Sequence, residues 1–168
     1  MNLLEIVGMT CTNMSFNIGF AFMSKENTQS YAWVLGSLRN IYEELEVMPT
    51  AILTNRELAL INAIHEVFSE DEVQHLLCWV HITTNIRAHA IAILKDDELA
   101  KKFSGRCWGL FMATTEEGYE AKRRQILRNW HSGLFKYVDQ TWLTPYKRNI
   151  VRAWTDHRLH FFTRTTNR

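Results

Sequence analysis

One stretch constrains the fold more than any other part of the chain: residues 51–81, which read AILTNRELALINAIHEVFSEDEVQHLLCWVH. Its first three residues form an apolar run of strand length. Thr54 and Glu57 then match the S/T-x-x-E capping box, and apolar residues recur behind them at helical spacing. Gln74–Val80 is a second apolar run, which we predict to be a strand. A strand, a helix and a strand in this order indicate an α/β fold.

Asn55 follows the first of these predicted strands and lies just inside the predicted helix N-terminus. In open α/β sheets, ligands and catalytic groups gather at the carboxyl ends of strands. The position would suit a metal-binding carboxylate, yet it carries a neutral amide. Asparagine is also favourable around a helix start, so a role in capping is an alternative interpretation of this residue.

Two more strands are predicted near the amino terminus. Leu3–Met9 is apolar, and Phe16, Ile18, Phe20 and Phe22 then alternate at period two, so the short connection between the two runs indicates a hairpin. A long helix is predicted across residues 31–45, where apolar residues recur at helical spacing. The patterns after residue 81 are helical throughout.

Length and composition exclude several classes of protein. A chain of 168 residues with 46% hydrophobic residues suits one domain with a sizeable core. No apolar run approaches the roughly 18 residues of a membrane span, and no basic leader precedes an apolar stretch, so we expect neither a membrane protein nor a signal peptide. Three cysteines, an odd number, fit a reducing intracellular compartment.

The net charge of +1 hides a strong asymmetry. Eleven of the nineteen Lys and Arg residues lie after residue 120, together with only two of the eighteen acidic residues. A block of this density is a candidate surface for nucleic-acid phosphates. Equally, it could neutralise the acidic front part of the same chain, since its aromatic residues fall at helix-core spacing. The candidate nucleic-acid-binding residues are Lys122, Arg123, Arg124, Arg128, Lys147, Arg148 and Arg152.

Several segments resemble one known family. TNRELALINAI, followed by HLLCWVHITTNI, is similar to the pattern T-D-R-E-x-A-L-x-x-A and then L-C-x-x-H-x-x-x-N of the Mutator-like element (MULE) transposase domain. Residues 3–23 resemble the two strands that follow the family's first catalytic Asp. Residues 160–168, HFFTRTTNR, resemble the segment before its catalytic Glu. The resemblance covers nearly the whole chain, in the family's order.

The resemblance implies a ribonuclease-H-like fold with an Asp-Asp-Glu metal triad. We therefore expect a mixed α/β sheet that is missing its first strand, with an all-helical insertion in the carboxyl-terminal half. Residues 1–82 would form the partial core, residues 83–159 the helical insertion, and residues 160–168 the start of the segment before the catalytic Glu. The missing strand would lie centrally, so its neighbours would lose a shared hydrogen-bonding partner.

The family's chemistry uses two Mg²⁺ or Mn²⁺ ions to cleave and transfer DNA strands in transposition. By resemblance, Asn55 occupies the position of the second Asp, the first Asp would lie upstream of Met1, and the Glu would lie beyond Arg168. We therefore expect no cofactor and no metal site in this chain, and a transposase fragment that is catalytically inactive.

Cys78 and His81 match the family's C-x-x-H positions, which lie near its active site, so both are candidate site residues that orient a DNA substrate. Two ligands do not make a tetrahedral zinc site. The alternative is a buried Cys on a core strand with a His at the end of that strand.

Two other functions remain open. One is a domesticated, non-enzymatic protein that binds DNA or regulates transcription, and the basic block supports it. The other is an active transposase subunit completed by flanking segments, which would require Asp at position 55. The family implies transposon-end DNA as a partner and a nuclear location. Self-association is a further candidate, and the lack of a long apolar run predicts no contact with membranes.

Overall fold

A computed structural model describes residues 1–10, 12 and 14–157 of the chain. These residues divide into two compact units, Met1–His75 and a second unit that begins at Leu76. Strands and helices are both present, which confirms the predicted α/β class. The domain ranges 1–82 and 83–159 stay predictions, and the predicted segment 160–168 lies outside the described residues.

The first unit begins with an antiparallel hairpin of β1 (Asn2–Met9) and β2 (Ser15–Met23), as the alternating pattern predicted. The register shifts between Ile6 and Val7, where a bulge interrupts the ladder. Gly8 lies against the ring of Phe16, so that a Cβ atom at this position would lie 2.4 Å from the ring. A larger residue at position 8 would therefore have to displace the Phe16 ring.

Two helices cover one face of this hairpin. Helix α1 (Thr28–Glu44) begins at its N-cap Asn27, whose side chain accepts a hydrogen bond from the Ser30 amide, and α2 spans Leu58–Val67. A single apolar cluster joins the helices to the strands. Its buried members are Met23, Tyr31, Val34, Leu35, Ala63, Ile64, Phe68 and Val73, with Leu4, Ile6 and Ile52 partly buried beside them.

The four strands within residues 1–157 that the structure describes form two separate two-stranded sheets. The second pairs β3 (Ala51–Thr54) with β4 (Gln74–Leu77), and the Gln74 amide donates to the Thr50 carbonyl at 3.1 Å. Strand β4 carries the chain from the first unit into the second.

Two predicted boundaries were wrong. The strand predicted across Gln74–Val80 ends at Leu77, because Trp79 already begins a helix whose buried residues recur at helical spacing. The helix after β3 begins at Leu58 and not at Thr54: Glu57 is its N-cap and accepts from the Ala59 amide at 3.3 Å. Thr54 is the last residue of β3. Its hydroxyl bonds with the Asn55 carbonyl and with His75, and it does not cap the helix.

The second unit is helical after the end of β4. Helix α3 packs on α4, α4 contacts α5, and α6 contacts both α3 and α5. A π-helix at Asp139–Leu143 follows α6 and runs directly into α7. The α-helices are α3 (Trp79–Leu94), α4 (Asp97–Phe111), α5 (Glu116–Asn129), α6 (Ser132–Val138), α7 (Thr144–Ile150) and α8 (Arg152–Thr155).

Candidate functional site

The carboxyl end of β3 places Asn55 at an exposed position, as predicted for the end of a strand. Residues 55–57 lie outside both β3 and α2, so Asn55 is not inside the helix N-terminus. The residue before it, Thr54, is buried, and its hydroxyl donates to the Asn55 carbonyl oxygen at 2.8 Å. A hydrogen bond from a buried residue of the first unit therefore holds the backbone at position 55, whose side chain is exposed.

His75 on β4 contacts the same end of β3. Its Nε2 lies 2.8 Å from the Thr54 hydroxyl, and its side chain is buried. Burial, which is the larger cause, and the neighbouring charge of His65 together lower the pKa of His75 to about 4. The two imidazole rings meet edge to face, with 5.9 Å between their centroids. His75 is therefore neutral at pH 7.

Sequence reasoning did not select His75 as a residue of this site. Its only signal was a histidine within a short apolar run, and this pattern does not identify a partner. The contact with Thr54 spans 21 residues of sequence and depends on the pairing of β3 with β4.

Cys78 and His81 both lie at the beginning of α3, in the second unit. Cys78 is the N-cap and is fully buried, whereas His81 is exposed in the first turn of the helix. The alternative location on a core strand was wrong, because the strand ends one residue before Cys78. The Cys78 side chain therefore faces the interior, whereas the His81 side chain faces solvent.

A row of polar side chains continues from His81 along α3. Asn85 and His89 follow at spacings of four residues, which places all three on one face of the helix. Tyr137 from α6 donates a hydrogen bond to Oδ1 of Asn85, and its ring stacks on His89 with 3.6 Å between centroids. We call these four residues the α3–α6 ridge. Sequence reasoning missed Tyr137, which lies 52 residues from Asn85.

Comparison with protein-family models gives a match to the amino-terminal half of the chain, which includes Asn55 and the beginning of α3. The family model described as the MULE transposase domain matches residues 1–85, which is half of the chain. The chain belongs to the MULE transposase family. No curated protein matches it at a significant level. The match includes Asn55, Cys78, His81 and Asn85, and it ends before the basic block.

The MULE family implies a pair of divalent metal ions, and the residues at β3 do not fit such a site. Across residues 1–10, 12 and 14–157, no group of three or more His, Cys, Asp or Glu side chains is placed to hold a metal ion. Asn55, which the sequence resemblance aligns with an Asp of the MULE pattern, carries a neutral amide oxygen. Glu57 is the nearest carboxylate along the chain, and it caps α2.

The basic residues predicted to contact nucleic acid fall into two groups in this MULE chain. Three are engaged within the second unit: Arg123 pairs with Asp139 at 2.9 Å, Arg152 pairs with Asp156 at 2.6 Å, and Lys147 lies over the Trp154 ring at 5.0 Å. The exposed members are Lys122, Arg124 and Arg128 on α5 and Arg148 on α7, and Lys122 donates to the Gly109 carbonyl. Part of the basic block is therefore engaged in contacts within the second unit.

No helix among the described residues is long and apolar enough to cross a bilayer. The MULE chain nevertheless carries an exposed apolar surface on the outer face of the β1–β2 hairpin. Its members are Leu3, Val7, Phe20 and Phe22, which are between 51% and 65% exposed. A contiguous exposed apolar patch often marks a site of contact with another protein, whereas single exposed apolar residues do not.

Proposed function

We propose that this chain is a MULE transposase domain that does not itself cleave DNA. The family's reaction is metal-dependent DNA strand cleavage and transfer in transposition. The observation that carries the proposal is the neutral side chain of Asn55 at the exposed carboxyl end of β3.

Charge explains why the amide matters. Magnesium is held in proteins by carboxylates together with substrate phosphates, and a two-metal site places two divalent cations about 4 Å apart. Carboxylates offset the repulsion between those cations, whereas an amide oxygen brings no net charge. Glu57 is committed to the α2 N-cap, so it is poorly placed to substitute for an Asp at position 55.

The proposal includes a ribonuclease-H-like core. In that fold one strand lies between the counterparts of β1 and β3. Here the β1–β2 and β3–β4 sheets are separate, although Ile6 of β1 and Ile52 of β3 pack against the same apolar cluster. Two sheets on one apolar cluster, unpaired with each other among the described residues, support a core of this kind.

The test combines nuclease activity with metal binding. We expect the chain to leave supercoiled plasmid uncut in Mg²⁺ or Mn²⁺. We also expect Mn²⁺ to cause no selective broadening of the backbone amide signals of residues 54–57. Asn55→Asp should introduce weak, localised broadening at these residues, whereas Asn55→Ala should not. Plasmid cleavage by the wild-type chain that is lost in Asn55→Ala would overturn the proposal.

A second candidate function is a non-enzymatic protein that binds DNA or regulates transcription. Two observations favour it. Arg124, Arg128 and Arg148 remain exposed on α5 and α7. In addition, α3 and α6, which carry the α3–α6 ridge, contain no Asp or Glu. The N–H donors on these two helices suit the phosphates of a nucleic acid, and the carboxylates beside them, such as Asp97 with Arg87, come from other elements.

Binding to a labelled duplex at several salt concentrations tests this second function. We expect Arg124→Ala/Arg128→Ala to weaken binding and to reduce the salt slope by about one to two, because each phosphate contact releases a counterion. Lys101→Ala/Lys102→Ala on α4 removes the same charge from another exposed surface and serves as the control. Equal effects of the two variants, or no binding at about 50 mM salt, would count against it.

A nuclear location belongs to the same proposal, because the DNA partner that the family implies is nuclear. A fluorescent fusion tests it: accumulation in the nucleus is expected, and uniform exclusion from the nucleus would contradict it.

A further inference from the structure

We infer that His75 and Thr54 are positioning residues for the side chain at position 55 and act through a chain of two hydrogen bonds. The inference deepens the proposed function, and it rests on that function only for the importance of position 55. The MULE pattern assigns no role to a histidine on the strand that follows α2.

The two hydrogen bonds are consecutive and share the Thr54 hydroxyl. Nε2 of His75 lies 2.8 Å from Oγ1 of Thr54, and that hydroxyl donates to the Asn55 carbonyl oxygen, also at 2.8 Å. His75 and Thr54 are only 6% and 8% exposed, respectively. Water therefore has little access to replace either bond.

The number of available hydrogens determines which atom is the donor in each of the two hydrogen bonds. The Thr54 hydroxyl has one hydrogen, which it gives to the Asn55 carbonyl. The Nε2 atom of His75 must then carry a hydrogen and donate it to Oγ1. His75 is therefore in the neutral Nε2–H tautomer, and the bonds run from His75 to Thr54 to Asn55.

This direction has a consequence for the exposed side chain at position 55. Residues 55 and 56 lie between β3 and α2 and belong to neither element. The bond from Thr54 fixes the orientation of the peptide group that follows Asn55. With that peptide group held towards the buried pair, the side chain is held in one orientation towards solvent.

The tautomer can be read directly from the imidazole nitrogens of the full chain. In a long-range ¹H–¹⁵N correlation spectrum at pH 7, we expect His75 to show the Nε2–H pattern. A His75 signal with the Nδ1–H pattern would reverse the donor and overturn the inference. This measurement on the unmodified protein decides the matter even if a variant fails to fold.

Conservative variants separate positioning from general stability. Thr54→Ser keeps the hydroxyl and His75→Gln keeps an N–H donor, so both should retain the wild-type amide order parameters at residues 55 and 56. Thr54→Val removes both bonds and His75→Leu removes the first, and both variants should lower these values from about 0.85 to below about 0.6. His65→Gln changes the neighbouring exposed histidine and serves as the matched control.

Unchanged order parameters in folded Thr54→Val would overturn the inference, as would failure of His75→Gln to preserve them. Failure of the proposed function gives a different result. Metal-dependent cleavage by the wild-type chain would overturn the claim that the domain is inactive, while leaving the His75 tautomer and the rescue pattern intact.

Discussion

His89 of α3 and Tyr137 of α6 stack face to face, with 3.6 Å between ring centroids and 15° between the ring planes. The hydroxyl of the same tyrosine donates to Oδ1 of Asn85, one helical turn earlier on α3. A single side chain therefore holds two positions of α3, through a ring contact and a hydrogen bond. This arrangement fixes the orientation of the Asn85 amide on the α3–α6 ridge.

Separating the two contacts of Tyr137 gives the first prediction. Tyr137→Phe keeps the stack on His89 and removes the hydrogen bond, so we expect it to lower the free energy of unfolding by about 0.5–1.5 kcal/mol. Tyr137→Ala removes both contacts and should cost more. Urea unfolding measures the difference, with Thr84→Ala on the same helix as a control. Equal stability of the Phe and Ala variants would show that the stack contributes nothing.

The second prediction concerns the buried indole of Trp79. Its Nε1–H donates to the Ile150 carbonyl at 2.8 Å, and its ring meets Trp108 edge to face at 4.8 Å. Trp79→Phe removes the donor from a buried carbonyl and should cost about 1–3 kcal/mol. Trp79→Ala also removes the packing and should cost about 3–5 kcal/mol. Thermal or urea unfolding checks the order. A Phe variant as stable as wild type would contradict the role assigned to this hydrogen bond.

Local patterns were sufficient to predict several elements. Alternation at Phe16, Ile18, Phe20 and Phe22 predicted β2, and helical spacing from residue 31 predicted α1. The end of β3 before Asn55 was also correct to one residue. These features depend on neighbours within a few positions, so a sequence window contains the interactions that decide them.

Other features depend on partners far along the chain. The apolar run at Gln74–Val80 fits a strand or a buried helix turn equally well. The structure divides it at Cys78, where Trp79 finds its partner at Ile150. Thr54 matched a capping box, but its hydroxyl bonds with His75. Such long-range contacts leave no periodic signal, so the His75 and Tyr137 contributions could not be predicted from local sequence.

The third prediction is a pH dependence of stability that arises from His75. An unfolded histidine has a pKa near 6.5, whereas burial lowers the pKa of folded His75 to about 4. Between these values the unfolded chain binds a proton that the folded chain does not. Stability is therefore complete above pH 6.5 and falls as the pH decreases towards 4.

This difference between the folded and unfolded pKa of His75 corresponds to a loss of about 3 kcal/mol in the free energy of unfolding between pH 6.5 and pH 4. Urea unfolding at pH 7, 5.5 and 4.5 should show wild type losing about that much more stability than His75→Gln, which cannot titrate. Acidification affects the other groups of both proteins alike, so the difference isolates His75. Equal losses of stability in the two proteins would mean that His75 takes up its proton at the same pH in the folded chain as in the unfolded chain.

The last prediction addresses the outer face of the hairpin. Phe20 and Phe22 on β2 are 56% and 65% exposed, and Leu3 lies directly opposite Phe22. An apolar sheet face of this kind favours association, because contact with a second surface removes it from water. Phe20→Thr/Phe22→Thr should therefore reduce concentration-dependent self-association, measured by sedimentation velocity. Stability should change by only about 0.5 kcal/mol, since these side chains are already exposed. Trp33→Ser on α1, which is 70% exposed, removes a comparable apolar area elsewhere and should leave association unchanged. If the Trp33 variant reduces association as much as the double variant does, the contact surface is not the hairpin.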